Sequence, residues 1–215
     1  MNEVNTFQQR QRMIREQLES RGVRNDRVLD AMREVPREKF VPAGLADSAY
    51  DDGPLPIGEG QTISQPYIVA RMVEALEPRP GDRALEVGAG SGYAAAVLGR
   101  IVDAVDAVEV HGSLARSASR RLSELGDNHV RVHHADGRRG WPEHAPYDVI
   151  LVSAGGEAVP DALVEQLAVG GRMVIPIGAG KGSQELVRLR KRDDGGLERE
   201  RLGGVRFVPL TGSDA

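Results

Sequence analysis

The stretch Arg83-Ala84-Leu85-Glu86-Val87-Gly88-Ala89-Gly90-Ser91-Gly92-Tyr93 decides how this chain folds. Its first five residues read as a short strand. The glycines end that strand in a turn, which feeds a helix expected from about Tyr93 to Ile101. A glycine-rich strand-to-helix turn lets the backbone approach a ligand closely, at the edge where an open parallel sheet binds one. Outward from this unit the alternation continues. Strands are expected at Ala104 to Val108, Val130 to His133, Tyr147 to Val152 and Arg172 to Ile177, with helices at Leu114 to Leu125 and Pro160 to Leu167. Two last strands, Glu185 to Arg190 and Gly204 to Pro209, have only the charged turn Lys191–Glu200 between them. This order predicts an α/β fold: a doubly wound, Rossmann-like sheet, mostly parallel, with an antiparallel hairpin at one edge and helices on both faces.

Upstream of the turn the pattern changes. Phe7, Met13, Ile14 and Leu18 recur near helical spacing, with Gly22 as a stop, and Asn25 or Asp26 can cap a second helix carrying Val28, Leu29 and Met32. A Gly- and Pro-rich region from Val41 to Pro66 shows little periodicity. Loops of that length inside a compact domain are commonly lids or binding loops. A helix from about Pro66 to Leu76 follows. The expectation is one domain of 215 residues, with helices and a substrate or lid loop over 1–80 and the α/β core over 81–215.

Composition narrows the function classes. The chain is 40% hydrophobic and 28% charged, with 28 basic and 32 acidic side chains and a formal charge of −4. That balance offers no bulk attraction to nucleic acid or anionic lipid. One Trp, four Tyr and three Phe are too few for a base-stacking platform. No apolar run approaches the roughly 18 residues of a membrane span, and the first residues lack the apolar core of a secretory signal. Without cysteine there is no disulfide, thiolate metal site or Cys nucleophile. A cytoplasmic monomer without nucleic-acid or membrane partners is the expectation.

Acids placed around the glycines suggest the ligand. Glu86 lies two residues before Gly88, where a carboxylate suits a cationic group. Glu109 ends the next strand, 17 residues beyond Gly92, where an acid can accept both hydroxyls of a ribose. Asp136, followed by Gly137, comes just after the third strand, where an adenine can be held. A dinucleotide site competes for these features, but its glycines are spaced GxGxxG, and Glu86 would repel a pyrophosphate. S-adenosylmethionine (SAM), with an ammonium, a sulfonium and a ribose, fits better than NAD.

The segment Glu86–Gly92, Glu109, the strand holding Asp148 and the run Leu167 to Gly178 resemble the ordered motifs of class I SAM-dependent methyltransferases. The segment Gly60-Gln61-Thr62-Ile63-Ser64-Gln65-Pro66-Tyr67, with Asp136-Gly137, Gly140-Trp141-Pro142 and Val205 to Leu210, narrows the resemblance to the protein-L-isoaspartate O-methyltransferases, from about Met13 to Thr211. The resemblance implies Ser64 as the active-site residue, orienting an acceptor carboxylate. It also implies a SAM site of Thr62, Ile63, Glu86, Gly88, Ala89, Gly90, Ser91, Gly92, Glu109, Asp136 and Gly137. Thr62, Ser64, Gln65, Pro66, Val208 and Leu210 would contact the substrate. SAM would leave as S-adenosylhomocysteine, without a metal. Isoaspartyl-containing, and D-aspartyl-containing, polypeptides would be the substrates, returned through a succinimide toward aspartate.

Blander readings stand beside these. Thr62 and Ser64 lie where residues cap a helix starting near Pro66. Trp141 reads as core packing, and the Arg-rich turn from Arg188 to Arg201 as a solvated hairpin. The five histidines show no evident catalytic pairing. His133 and His134, adjacent on a strand, point to opposite faces and make a poor metal pair. Alternatives for the whole chain are a carboxylate methyltransferase acting on one dedicated peptide or a small molecule, a SAM-binding module without activity, and an NAD-dependent dehydrogenase.

Overall fold

Apolar residues at helical spacing build an N-terminal helical layer. The structure, a computed structural model, describes residues 3–178 and 182–212. Helix α1 (Glu3–Met13) runs on through a π-helical turn, Ile14–Leu18, and stops at Gly22, whose φ of 95° ends it in the left-handed region. Of the two candidate caps, Asn25 serves: its side chain accepts from the backbone N–H groups of Arg27 and Val28 at 3.1 and 3.4 Å. Helix α2 (Asp26–Glu34) then buries Val28, Leu29, Ala31 and Met32.

The Gly- and Pro-rich region is more ordered than its composition suggests. Preceded by a 3₁₀ turn at Arg37–Phe40, it contains another at Ala43–Ser48 and a small hairpin of β1 (Leu55–Gly58) and β2 (Gln61–Ile63). Helix α3 (Pro66–Ala75) follows, with proline at its first position, where no N–H is required.

The alternating core is as expected: β3 (Arg83–Val87), α4 (Tyr93–Gly99), β4 (Ala104–Glu109), α5 (Gly112–Glu124), β5 (Val130–His134), β6 (Tyr147–Val152), α6 (Asp161–Gln166) and β7 (Leu167–Ile177). Two antiparallel strands, β8 (Gln184–Lys191) and β9 (Leu197–Val205), complete one edge. The sheet order is β5-β4-β3-β6-β7-β8-β9, with the first five strands parallel. The chain winds outward from β3 to β5, then returns to the other side of β3 at β6. The switch point between β3 and β6 opens a crevice at the carboxyl ends of the strands. One face of the sheet packs against α2, α3 and α4 through Val105, Ala107 and Val149. The other carries Leu85, Val108 and Ile150 against Leu163 of α6 and the 141–145 segment.

Two strand expectations need correction. The expected strand Gly204 to Pro209 is strand only at Gly204 and Val205. The last strand begins earlier, within the supposed charged turn, and that turn shrinks to residues 192–196. Strand β9 is almost wholly exposed, so it has no apolar signal. Its ladder to β8 and cross-strand pairs such as Arg188–Glu200 and Arg201–Glu185 hold it instead. After Val205 the chain leaves the edge and crosses to β6's exit, where Gly155 N–H donates to Val208 O at 2.8 Å and Leu210 N–H to Gly155 O at 2.7 Å. Strand β7 also begins at Leu167, earlier than the expected Arg172.

Candidate functional site

The crevice is built from the glycine turn upward. Gly88, Gly90 and Gly92 have φ of 85°, 53° and 88°, a left-handed sequence that other residues adopt at a cost. The N–H groups of Gly88 and Ala89 donate to Val108 O of β4, and Gly90 N–H donates to Glu109 Oε2 at 2.8 Å. His111 N–H donates to Glu109 Oε1 at 2.8 Å. Two backbone donors thus fix the Glu109 carboxylate at the end of β4, with lone pairs left toward the crevice.

Glu86 sits on the other wall, 1% exposed. Ser153 Oγ donates to its Oε1 at 3.0 Å, while Oε2 is buried with no hydrogen-bond partner. Burial pushes the carboxyl up to about 8; the Ser153 hydroxyl opposes that rise and the nearby Glu109 charge adds to it. An orphaned buried carboxylate oxygen is costly unless a cation meets it. Glu86, the two fixed oxygens of Glu109 and the backbone-lined turn between them fit a ligand with an ammonium at one end and vicinal hydroxyls at the other.

The lid hairpin covers this crevice: a Cβ at Gly90 would lie 3.1 Å from Ile57 Cδ1 of β1. One chamber is lined by Thr62, Gly88, Gly90, Glu109, Gly137, Val208 and Leu210, the other by Thr62, Ile63, Ser64, Glu86, Ala89 and Ser91. Both open onto a groove of about 700 Å³ between α3 and the C-terminal segment, lined by Thr62, Ser64, Gln65, Tyr67, Phe207 and Val208 among others. Thr62 and Ser153 border all three spaces, and Ser64 borders a crevice chamber and the groove. Ser64 is not a helix cap: Gln65 holds that position in α3 and caps nothing with its side chain.

Most expected site residues meet here, and three lie apart. Pro66 is buried at the start of α3 and borders neither chamber nor groove. Gly92 caps α4 and packs on α5, where a Cβ would lie 3.2 Å from Ala118 Cβ. Asp136 is 8% exposed, and Arg138 bonds both its oxygens, Nη2 to Oδ2 at 2.6 Å; that guanidinium holds its carboxyl below the usual range. Its neighbour Gly137 does border the crevice, close under Val87.

A histidine pairing exists after all, away from the crevice. His133 Nε2 and His144 Nδ1 reach Asp106 at 2.8 and 2.9 Å, and Tyr147 donates its hydroxyl to the same carboxylate at 3.2 Å. Asp106, His133 and His144 are the metal-compatible group among the described residues, and both imidazoles already bond the carboxylate. Burial alone would raise Asp106, but the two imidazoles outweigh it and hold the group down. His134 turns the other way, to Val110 O. Trp141 is partly buried, stacked on His133 at 3.8 Å.

A family model described as Protein-L-isoaspartate(D-aspartate) O-methyltransferase (PCMT) matches residues 8–215. The chain belongs to the protein-L-isoaspartate O-methyltransferase family. It is 58% identical over 205 residues to protein-L-isoaspartate O-methyltransferase 2 of Pelobacter propionicus, covering 95% of this chain and 91% of that one. It is 57% identical to protein-L-isoaspartate O-methyltransferase of Pelotomaculum thermopropionicum, covering 96% and 90%. A solved protein-L-isoaspartate O-methyltransferase superposes with a TM-score of 0.85 at 32% identity, covering 95% of this chain and 66% of the longer solved one. A Plasmodium falciparum protein described as a protein-L-isoaspartate O-methyltransferase, solved with S-adenosylhomocysteine, gives 0.79 at 27%, covering 94% and 98%.

Two residues of the candidate site escaped the sequence reading. Ser153 had an available signal, being the residue after a buried strand at the ligand-binding edge of the sheet. Arg37, which donates to Ser64 O from behind the crevice at 2.8 Å, had none: it stands in the polar run Arg37-Glu38-Lys39, where exposure is the ordinary expectation.

Proposed function

We propose that this chain methylates the free α-carboxylate of L-isoaspartyl residues, and the free side-chain carboxylate of D-aspartyl residues, in damaged polypeptides. The observation that carries the reading is the orphaned, buried Glu86 oxygen and the fixed Glu109 carboxylate in chambers that share the glycine turn, in a crevice that opens at Ser64 into a peptide-sized groove. Family membership supports the same reaction. Glu86 would take the ammonium of SAM and Glu109 its ribose, with Gly88, Ala89, Gly90 and Gly137 close to the ligand. When bound, SAM supplies an electrophilic methyl group on a sulfonium, which keeps the C–S electron pair as it leaves.

An isoaspartyl α-carboxyl, with a pKa near that of a chain terminus, about 3.3–3.7, is ionised at neutral pH and needs no general base. It needs no Lewis acid either, because the positively charged sulfonium leaves as a neutral thioether. The work left to the residues is orientation and exclusion of water. Ser64 Oγ would donate to the carboxylate, and the N-terminus of α3 beyond it favours the anion. The hairpin closes over the donor, while Thr62, Gln65 and Val208 border the acceptor's backbone. The methyl ester then loses methanol as the following backbone nitrogen attacks its carbonyl, giving a succinimide. Hydrolysis of that ring returns a share of normal aspartate.

The test is incubation with tritiated SAM and paired synthetic peptides that differ only in an isoaspartyl or a normal aspartyl linkage. Label in the isoaspartyl peptide alone supports the reading. Label in the normal peptide alone, or in neither, overturns it.

A further inference from the structure

Arg37 is fully buried. Its Nε donates to Ala49 O at 2.7 Å and its Nη2 to Ser64 O at 2.8 Å, while its guanidinium lies over the Tyr93 ring, 4.9 Å from the centroid. The remaining nitrogen, Nη1, is buried with no acceptor. Among the described residues no carboxylate pairs with it, and desolvation is what chiefly disfavours its charged form. Arg172, the other strongly buried arginine, is different, because it holds Asp82 at 2.9 Å. Two carbonyls and a π face satisfy donors but bring no opposite charge. A buried cation left without an anion is a standing cost that an anionic ligand nearby would relieve.

The three contacts also show where that charge acts. Ser64 and Tyr93 both border the chamber that contains Glu86, so the guanidinium stands directly behind the wall these two residues form. Ser64 O is held by Arg37, and among the described residues Ser64 Oγ makes no hydrogen bond, which leaves it for a ligand. Glu86 does not supply the missing anion, since burial keeps it largely protonated at neutral pH.

We propose that Arg37 is a positioning residue for the methyl acceptor: it fixes Ser64 through its carbonyl, and its unneutralised charge makes the site select an ionised acceptor over a neutral one of the same shape. This rests on the methyl-transfer reading. The acceptor is already ionised, so a cation behind it costs little nucleophilicity and gains occupancy. At the separation set by one serine residue the preference for an anion is on the order of ten- to fiftyfold.

The experiment measures binding of two peptides to the enzyme saturated with S-adenosylhomocysteine. One carries an isoaspartyl residue with its free α-carboxylate, the other the same residue as the α-carboxamide. Wild type is expected to prefer the carboxylate by about tenfold or more. Arg37→Gln should bring that ratio to about twofold or less, with S-adenosylhomocysteine affinity within about threefold of wild type. Arg37→Lys should restore most of the ratio while kcat stays low, because one ammonium cannot span Ala49 O and Ser64 O as the fork does. A glutamine variant that keeps the wild-type ratio overturns the proposal. So does one that loses both peptides and the nucleoside in parallel, since that is a general loosening. Should the glutamine variant fail to fold, the lysine variant decides: a retained ratio supports the proposal and equal binding overturns it. A wild-type enzyme that methylates no isoaspartyl peptide sinks the repair reading first, before any substitution is made.

Discussion

Ser153 donates its hydroxyl to Glu86 Oε1 at 3.0 Å across the switch point of the sheet, while Glu86 Oε2 has no partner. The two residues stand on the neighbouring strand ends of β3 and β6, where Val87 pairs with Val152. One hydroxyl is enough to orient the carboxylate but not to keep it ionised, so Glu86 rises to about 8. A group poised in this way links ligand binding to a proton.

At pH 7 a carboxyl with a pKa of about 8 is mostly protonated. If Glu86 receives the ligand's ammonium it must ionise, and the proton is released. Titration calorimetry with S-adenosylhomocysteine at pH 7, in buffers of different ionisation enthalpy, should therefore show close to one proton released per site. Apparent affinity should rise with pH between 6 and 8, by up to about tenfold per unit. Identical heats in all buffers would place the ammonium elsewhere.

The same group works against the unliganded fold. Its ordinary value is 4.5 and its folded value about 8, so between these the folded state holds a proton that the unfolded state has lost. Stability from this source is therefore greatest below about pH 4.5 and falls as pH rises toward 8, in all by a few kcal/mol, on the order of 1.4 per unit. Glu86→Gln removes the effect. Its melting temperature should exceed that of wild type by more at pH 8 than at pH 5, while its affinity for S-adenosylhomocysteine at pH 8 falls by about thirtyfold or more. A melting difference that does not change with pH would refute the linkage.

The sheet, the glycine turn and the acids beside it were legible because each depends on a local pattern: apolar strands of ordinary length, glycines at fixed offsets and acids at strand ends. Strand β9 was not, because Leu197-Glu198-Arg199-Glu200-Arg201 buries almost nothing and is held by pairing. The hairpin of β1 and β2 hid in a Gly- and Pro-rich stretch because its strands are only four and three residues long. Charge clusters failed differently. Asp106, His133 and His144 belong to a strand, its neighbour and a distant turn, so only tertiary packing brings them together. Arg37 looks like any surface arginine until Ala49, Ser64 and Tyr93 close around it.

Gly137 tests how tightly the crevice floor is packed. A Cβ there would lie 2.6 Å from Val87 Cγ1, inside the last residue of β3. Val87 is fully buried between neighbouring strands and cannot retreat. Gly137→Ala should therefore destabilise the fold by about 1–3 kcal/mol, the cost of overpacking. That corresponds to roughly 2–10 °C in thermal melting. The strain pushes the 136–138 turn into the crevice, so affinity for S-adenosylhomocysteine should fall as well. A variant with unchanged melting and unchanged affinity would mean that the turn can shift freely.

Ser64 separates donor binding from acceptor orientation. It borders the chamber on the Glu86 side and the peptide groove, yet the contacts expected to hold the nucleoside come from Glu86, Glu109 and the glycine turn. Ser64→Ala keeps the backbone carbonyl that Arg37 grips and deletes only the hydroxyl. S-adenosylhomocysteine affinity should stay within about threefold of wild type. Turnover on an isoaspartyl peptide should fall by about ten- to a hundredfold, the scale on which misplacing a bound reactant slows a reaction whose chemistry is otherwise ready. Thr62, exposed and bordering all three spaces, cannot substitute for it, because it lies on the hairpin strand two residues away. Equal losses of nucleoside affinity and turnover would assign Ser64 to the donor instead.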